Sequence, residues 1–296
     1  MRVLATALVF IIILFSLFGC NAENRRWSII GTVNPAIPDT PGSEHFANTP
    51  AVESGVGSIG GGGSAASMIS FLNYQGRRYT PASLYRLSEA PALRELIGEK
   101  LGYASGIINE RSNIREYAAE FSGTVSGDIN SVIGYSDQFR LCSVSDITFA
   151  DGKDYELLLF YEAFDEDELV YGSDLFDEYL QLNDKWVQVK YVGHSQWNST
   201  HPQEYIYQDL HSVTEEDVNS FIAELLEGCF VNINEAPERD GFYTSNAQAH
   251  LYFFLSDNTR IDIRLVQGGY VGYQHFIWHY VRMPGEAFDV IFNACQ

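Results

Sequence analysis

The sequence predicts an α+β fold, a mainly antiparallel sheet with a few packing helices, that follows a signal peptide and a flexible linker. Two observations predict this fold class. Stretches with strand character outnumber helical stretches, and tight turns join neighbouring strands. Both are typical of a sheet built from hairpins, with helices added on one side.

Short apolar stretches between turn residues mark the first strands. MISFLNYQGRRYT predicts two short strands around a turn at Gln75-Gly76. DINSVIGY and QFRLCSV predict two more, separated by Ser136-Asp137, and YELLLFYEAF is typical of a buried strand. These stretches place much of the sheet in the first half of the predicted domain.

Two other stretches give a helix and a two-faced strand. Residues 80–102 favour a mostly helical segment that breaks at Pro91. KWVQVKYV alternates between two faces, and Val187, Val189 and Tyr191 share one of them.

The clearest helix signal lies in TEEDVNSFIAELLEG. Thr214 is a good N-cap residue, acidic residues fill the first turn, and Gly228 follows the last turn. Apolar residues recur at spacings of three and four on one face, namely Val218, Phe221, Ile222, Leu225 and Leu226. This helix is therefore expected to pack on the sheet.

A hairpin and a final helix complete the predicted fold. HLYFFLSDNTRIDIRLV predicts a hairpin with its turn at Asp257-Asn258, and QGGYVGYQ turns again at Gly268-Gly269. On the second arm of the hairpin, Ile261, Ile263 and Leu265 are predicted to face inward and Arg260, Asp262 and Arg264 outward. Pro284 begins the last helix, whose apolar face contains Phe288, Ile291, Phe292 and Cys295.

The start of the chain predicts a lipoprotein signal peptide over residues 1–19. Arg2 is followed by an uncharged apolar run that ends at Gly19-Cys20, and this run is short for a membrane span. Leu17-Phe18-Gly19-Cys20 resembles a bacterial lipobox, although Phe18 is larger than usual there. The resemblance implies that Cys20 is diacylated (palmitate) and becomes the mature N-terminus. An uncleaved anchor helix and ordinary secretion with a free Cys20 are the alternatives.

Composition divides the rest of the chain into a tether and a domain. Residues 20–66 are rich in proline and then in glycine, which predicts a disordered tether. Residues 67–296 are predicted to form a single α+β domain, with two subdomains split near 195–213 as the alternative. The 46% of hydrophobic residues is ample for a packed core.

Charge excludes one class of partner. The chain carries 39 acidic and 18 basic residues, a net charge of −21. A polyanion repels phosphate backbones and anionic headgroups, so nucleic-acid binding is disfavoured, and membrane attachment must come from the anchor.

Cys142, Cys229 and Cys295 have no close spacing, which favours buried free thiols over one disulfide plus one free thiol.

Several segments after residue 100 resemble a known family. AAEFSGTVSGDINSVIGYSDQFRLC, VYGSDLFDEYLQL and RIDIRLVQGGYVGYQ are similar to an uncharacterised family of anchored surface proteins and lipoproteins of low-GC Gram-positive bacteria. The resemblance covers roughly residues 101–296. It implies a location at the cell membrane and an approximate fold, and it transfers no catalytic or binding residue.

Four stretches contain residues that could form a site, and each also has a simpler structural interpretation. GHSQW (193–197) lacks the second glycine of a nucleophile elbow, so its serine is interpreted as a loop residue. His275 and His279 are too far apart on a strand to share a metal ion. The acidic stretch 165–178 is interpreted as a solvated turn, with weak calcium binding or a glycosidase pair left open. The aromatics of GGYVGYQHFIWHY are expected to be core rather than a sugar platform.

These observations predict no catalytic residue, no cofactor and no metal site. The expected function is a non-catalytic binding, sensing or accessory role for a protein that is lipid-anchored on the extracytoplasmic face of the cell membrane. An envelope hydrolase that uses carboxylates and a cell-wall glycan-binding module are the alternatives.

Overall fold

The computed structural model describes most of the chain from Ser70 onward, within one compact unit, Gly60–Gln296. The described residues are 70–108, 112–148, 154–164, 168–199, 205–232, 248–273, 276, 279–283 and 285–296. The predicted signal peptide, Cys20 and the tether over 20–66 lie outside the described residues. The predictions for those parts therefore stay predictions.

Six strands from the first half form one antiparallel sheet. Its strand order is β1-β2-β6-β5-β4-β3. In chain order the elements are β1 (Leu72–Tyr74), β2 (Arg77–Arg86), a 3-10 helix (Pro91–Leu96), β3 (Ile97–Ser105), α1 (Ile114–Tyr117), β4 (Ser126–Val132), β5 (Arg140–Thr148) and β6 (Asp154–Glu162).

This first sheet curls into a nearly closed barrel, because β1 meets the chain just before β4. Leu72 bridges Gly123, and Asn73 N donates to Ser122 O at 2.8 Å. A side chain at Gly123 would collide with the carbonyl oxygen of Phe71, so only glycine permits this approach. The barrel encloses a core of Leu72, Tyr79, Ala104, Ile129, Leu141, Tyr161 and Ala163.

Seven strands from the second half form the other sheet. Its order is β8-β7-β10-β11-β12-β13-β9, and all its pairings are antiparallel. In chain order the elements are α2 (Gly172–Phe176), α3 (Leu182–Lys185), β7 (Trp186–Val192), α4 (His194–Ser199), β8 (Gln208–Asp209), α5 (Glu215–Glu227), β9 (Cys229–Asn232), β10 (Gln248–Leu255), β11 (Arg260–Val266), β12 (Tyr270–Tyr273), β13 (His279–Arg282) and α6 (Ala287–Ala294). The alternative subdomain boundary at 195–213 falls inside this sheet.

Helices α5 and α6 cover one face of the second sheet and build the main core. Thr214 caps α5 as predicted, since its hydroxyl accepts from Asp217 N while the Asp217 carboxylate accepts from Thr214 N. The predicted apolar face of α6 is also confirmed, because Phe288, Ile291, Phe292 and Cys295 are buried in the same core.

The predicted antiparallel sheet with a few helices is confirmed, and so are the turns at Gln75-Gly76, Asp257-Asn258 and Gly268-Gly269. The helical prediction for residues 80–102 is wrong. This segment contains most of β2, a short 3-10 helix at Pro91–Leu96, and the start of β3. The reason is tertiary pairing: β2 bonds along the apolar strand β6, and that ladder overrides helix propensity.

The faces of β7 differ from the predicted alternation at one residue. The register between β7 and β10 shifts at Phe254/Leu255, so that Trp186 rather than Val187 is paired with Leu255. As a result Val187 is 61% exposed, while Trp186, Val189 and Tyr191 pack against the main core.

Candidate functional site

A buried ion pair joins the two sheets. Arg140 at the start of β5 donates through Nε to Glu162 Oε1 at 3.0 Å and also through Nη2, and Tyr273 of β12 donates to Glu162 Oε2 at 2.7 Å. The Arg140 guanidinium also lies 4.3 Å from the ring centroid of Tyr135. Because both oxygens of Glu162 are occupied and its side chain is 1% exposed, this carboxylate holds the sheets together.

A second polar cluster contradicts the prediction that Arg260 and Asp262 face outward into solvent. They lie on the face of β11 opposite α5 and α6, but their side chains are only 24% and 21% exposed. Arg260 donates through Nε to Asp262 Oδ1 at 3.0 Å, through Nη1 to the Tyr207 hydroxyl at 2.7 Å, and through its backbone N–H to the Tyr85 hydroxyl at 3.1 Å. Burial raises the pKa of Asp262, although the Arg260 charge opposes that shift.

Four tyrosines from three parts of the chain surround this ion pair. Tyr85 belongs to β2, Tyr252 to β10, and Tyr205 and Tyr207 to the segment before β8. The ring centroids of Tyr207 and Tyr252 are 5.1 Å apart in a T-shaped contact. We call Tyr85, Tyr205, Tyr207, Tyr252, Arg260 and Asp262 the tyrosine site.

Sequence reasoning missed the tyrosine site, because its residues are spread over 178 positions of the chain, from 85 to 262. One local signal was available. Tyr205 and Tyr207 stand two apart in YIYQD, which in an extended segment places both rings on one side.

A histidine pair lies on the same face of the second sheet. His194 Nδ1 is 3.2 Å from His250 Nε2, and the Trp197 ring stacks on the His250 ring with centroids 4.0 Å apart. The interpretation of the serine of GHSQW as a loop residue is wrong, because α4 begins at His194. This serine, Ser195, is exposed on that helix rather than in a loop.

The other predicted stretches contribute to structure. Asp174 accepts from the backbone N–H groups of Val170 and Tyr171, so it caps α2. Residues 165–167 and His275 lie outside the described residues, and His279 lies on β13. Within the described ranges, no group of three or more histidine, cysteine or acidic side chains is placed to hold a metal ion.

The aromatic run is core, as predicted for its described members. The fractional exposures of Tyr270, Tyr273, Phe276 and Tyr280 are all 3% or less. Val271, Tyr273 and Phe276 pack in the same core as α6, whereas Tyr270 and Tyr280 pack with Val266 in a separate cluster. Trp278 lies outside the described residues. These rings therefore do not form an exposed sugar platform.

Two of the three domain cysteines are buried free thiols, as predicted. Burial raises the pKa values of Cys142 and Cys295 to about 12, so both thiols are protonated and unreactive near neutral pH. Cys229 is half-buried on β9 and is disulfide-bonded, so the prediction of a free thiol is wrong for this residue.

The sheet edges differ in how they are covered. Ser122–Thr124 cover β1, and the backbone of 170–172 covers β9 through bonds such as Phe230 N to Val170 O at 2.8 Å. Strand β8 has only two residues. Strand β3 has nine, and the described strands pair with it on the β4 side alone. It also carries Tyr103, which is 61% exposed.

Comparisons of the chain with models of protein families, with curated proteins and with solved structures find no match. The resemblance to anchored surface proteins over residues 101–296 therefore stays an expectation. Among the helices that the structure describes, none has the length and apolar character needed to cross a membrane.

Proposed function

We propose that this protein is a lipoprotein of the cell envelope, anchored through acyl chains on Cys20, with residues 20–66 as a tether. Its domain, residues 67–296, has a non-catalytic role and binds a neighbouring envelope protein. The partner adds an extended segment to the outer edge of β3. The N-terminal sequence supports the anchor, and one structural observation carries the binding function.

That observation is the contrast between β3 and the other sheet edges. Unpaired strand edges invite association, and proteins usually cover or shorten them. Here β1 and β9 are covered and β8 is very short, whereas no described strand pairs with the outer edge of β3. A long edge that no described strand covers, beside described edges that are covered or short, supports recognition by strand addition.

The two halves of β3 differ as docking sites. In the first half, the register against β4 shifts twice between Ile97 and Gly102, and Glu99 and Lys100 are exposed charges. Both features discourage strand pairing. From Gly102 to Ser105 the register is regular and the charged residues stop. The second half, with Tyr103 as its exposed side chain, is therefore the proposed docking strand.

The direction of the backbone N–H groups along β3 decides which residue should be replaced by proline to test strand addition. Ile108 N donates to Gly123 O at 3.1 Å, which continues the ladder between β3 and β4. Ala104 is paired with Gly127 of β4, and we assign the backbone N–H groups of its neighbours Tyr103 and Ser105 to the open edge, because successive strand residues direct these groups to opposite sides. Ser105→Pro should therefore remove an edge donor while leaving the β4 ladder intact.

The experiment is site-specific photocrosslinking in intact cells. A photoreactive residue at Tyr103 should give one discrete protein adduct, and Ser105→Pro in the same chain should abolish it. Val187 is a matched control, since it has the same 61% exposure on the second sheet. Equal adducts from both positions, or an adduct from Tyr103 that survives Ser105→Pro, would contradict strand addition.

The hydrolase alternative receives less support. A glycosidase needs two carboxylates within roughly 5–10 Å that can reach the substrate. Glu162 is buried with both oxygens occupied, and one oxygen of Asp262 is paired with Arg260. Both carboxylates are thereby held in structural ion pairs.

A further inference from the structure

The tyrosine site has hydrogen-bonding capacity that the protein itself does not use. The Tyr252 residue is 2% exposed, yet its hydroxyl makes no hydrogen bond with any described residue. Burial and the nearby Asp262 charge raise the pKa of Tyr252 far above its usual value, so the hydroxyl remains a donor. Among the described residues this hydroxyl is not one of the side-chain atoms that are both fully buried and unsatisfied, so it reaches solvent and is open to a ligand or to water.

The ion pair beside Tyr252 also has unused groups. Asp262 Oδ1 accepts from Arg260 Nε, but no described donor contacts Asp262 Oδ2. The Tyr207 hydroxyl accepts from Arg260 Nη1 at 2.7 Å, and its own proton has no described acceptor. The site therefore presents donors and an acceptor together.

Charge and shape narrow the class of ligand. Arg260 and Asp262 neutralise each other, so a cation is repelled by the first and an anion by the second. The remaining surface is aromatic, and ligand sites of this kind combine ring surfaces with a few placed polar groups. A sugar ring has an apolar side and hydroxyls that both donate and accept.

We propose that the tyrosine site binds a neutral carbohydrate residue. One sugar hydroxyl accepts from the Tyr252 hydroxyl, and another donates to Asp262 Oδ2. The half-buried rings of Tyr205 and Tyr207 contact the sugar at the solvent-facing side. The β3 edge plays no part in this site, so the inference is independent of the proposed protein partner.

The test uses titration calorimetry and chemical-shift mapping on residues 67–296 and on the full chain. The probes are tetramers of N-acetylglucosamine, glucose and mannose, with tetragalacturonate as an anionic comparator. At least one neutral tetramer should bind, and tetragalacturonate should not. Shift changes should centre on Tyr252 and Asp262.

Tyr252→Phe is the decisive variant, because it removes only the hydroxyl that has no partner. It should leave the melting temperature unchanged and weaken binding by about fivefold to tenfold, the effect of one lost hydrogen bond. Tyr161→Phe is the matched control. Tyr161 is also 2% exposed, but its hydroxyl is 2.9 Å from Ser143 Oγ inside the barrel. It should lower the melting temperature and leave the affinity unchanged.

Three results would overturn the proposal. The first is the absence of binding by all three neutral tetramers at millimolar concentration. The second is binding of tetragalacturonate alone. The third is a neutral tetramer that binds equally well to the wild-type chain and to Tyr252→Phe, which would place the sugar elsewhere.

Discussion

His194 and His250 share a hydrogen bond, with Nδ1 of the first 3.2 Å from Nε2 of the second, and this contact fixes α4 to β10. Trp197 extends the contact by stacking on His250. A hydrogen bond between two imidazoles requires at least one of them to be neutral. Arg264, which lies opposite His250 in the register of β10 and β11, adds a positive charge nearby.

This pair should make stability depend on pH. Burial and the Arg264 charge lower the pKa of His194, and burial, His194 and Arg264 lower the pKa of His250 well below its usual value. The unfolded chain then binds more protons than the folded one, so stability is greatest above about pH 6.5 and falls as the pH drops below it. We expect the melting temperature to fall by several degrees between pH 7.5 and 5.5.

By register, the titratable groups on the same face of the sheet as His250 include Lys190, Tyr252, Arg260, Asp262 and Arg264. Only the histidines have usual pKa values in this range. His250→Gln should therefore flatten the pH dependence. A variant whose melting temperature declines as steeply as that of the wild type would trace the effect to other residues.

The buried pair Arg140–Glu162 should be costly to break from one side. Glu162→Gln leaves the Arg140 charge buried without its partner, and such losses cost about 3–5 kcal/mol of unfolding free energy. The exposed pair Arg94–Glu156 is the matched control, and Glu156→Gln should have no measurable effect. Urea unfolding of both variants checks this. Similar midpoints for the two would show that burial of the first pair matters little.

The last helix should contribute much of the stability of the main core. Phe288→Ala removes a ring that is 1% exposed, and a substitution of this kind costs about 3–5 kcal/mol. Val290 on the same helix is 44% exposed, so Val290→Ala should cost less than about 0.5 kcal/mol. Thermal and urea unfolding measure the difference. If both variants unfolded together with the wild type, α6 would not pack as described.

Cys20 should be the point of lipid attachment. Two acyl chains, at about 0.8 kcal/mol per buried methylene, hold a protein on a bilayer far longer than one does. Mass spectrometry of the mature N-terminus should find a diacylated cysteine, and Cys20→Ser should block both acylation and the cleavage that follows. An unmodified Cys20, or an intact Met1 start in the wild-type protein, would favour the uncleaved anchor or ordinary secretion.

Local patterns predicted much of the fold, because they depend on neighbouring residues. The alternation of Ile261, Ile263 and Leu265 and the cap at Thr214 are set within a few residues, and the structure confirms both. Residues 80–102 were predicted wrongly because their conformation depends on β6, more than 50 positions away.

The candidate sites were harder to predict than the fold for the same reason. Tyr252 and Tyr85 contact Arg260 only after both sheets have formed, and no residue spacing in the sequence predicts these contacts. The sequence also predicts that Arg260 and Asp262 of β11 face solvent. Alternation shows which residues share a face of a strand, but it does not show what covers that face.

The closure of the barrel at Gly123 decides how a pulling force would cross the molecule. Leu72 bridges Gly123 on one side, and Ile108 N donates to Gly123 O on the other. Leu72 lies just after the predicted tether, and Ile108 just after β3. If the proposed anchor and the proposed partner on β3 both hold, tension between them would cross the barrel through the β3–β4 ladder and this short strip of backbone. The second sheet, which contains the histidine pair and the tyrosine site, lies outside this path and would carry little of the pulling force.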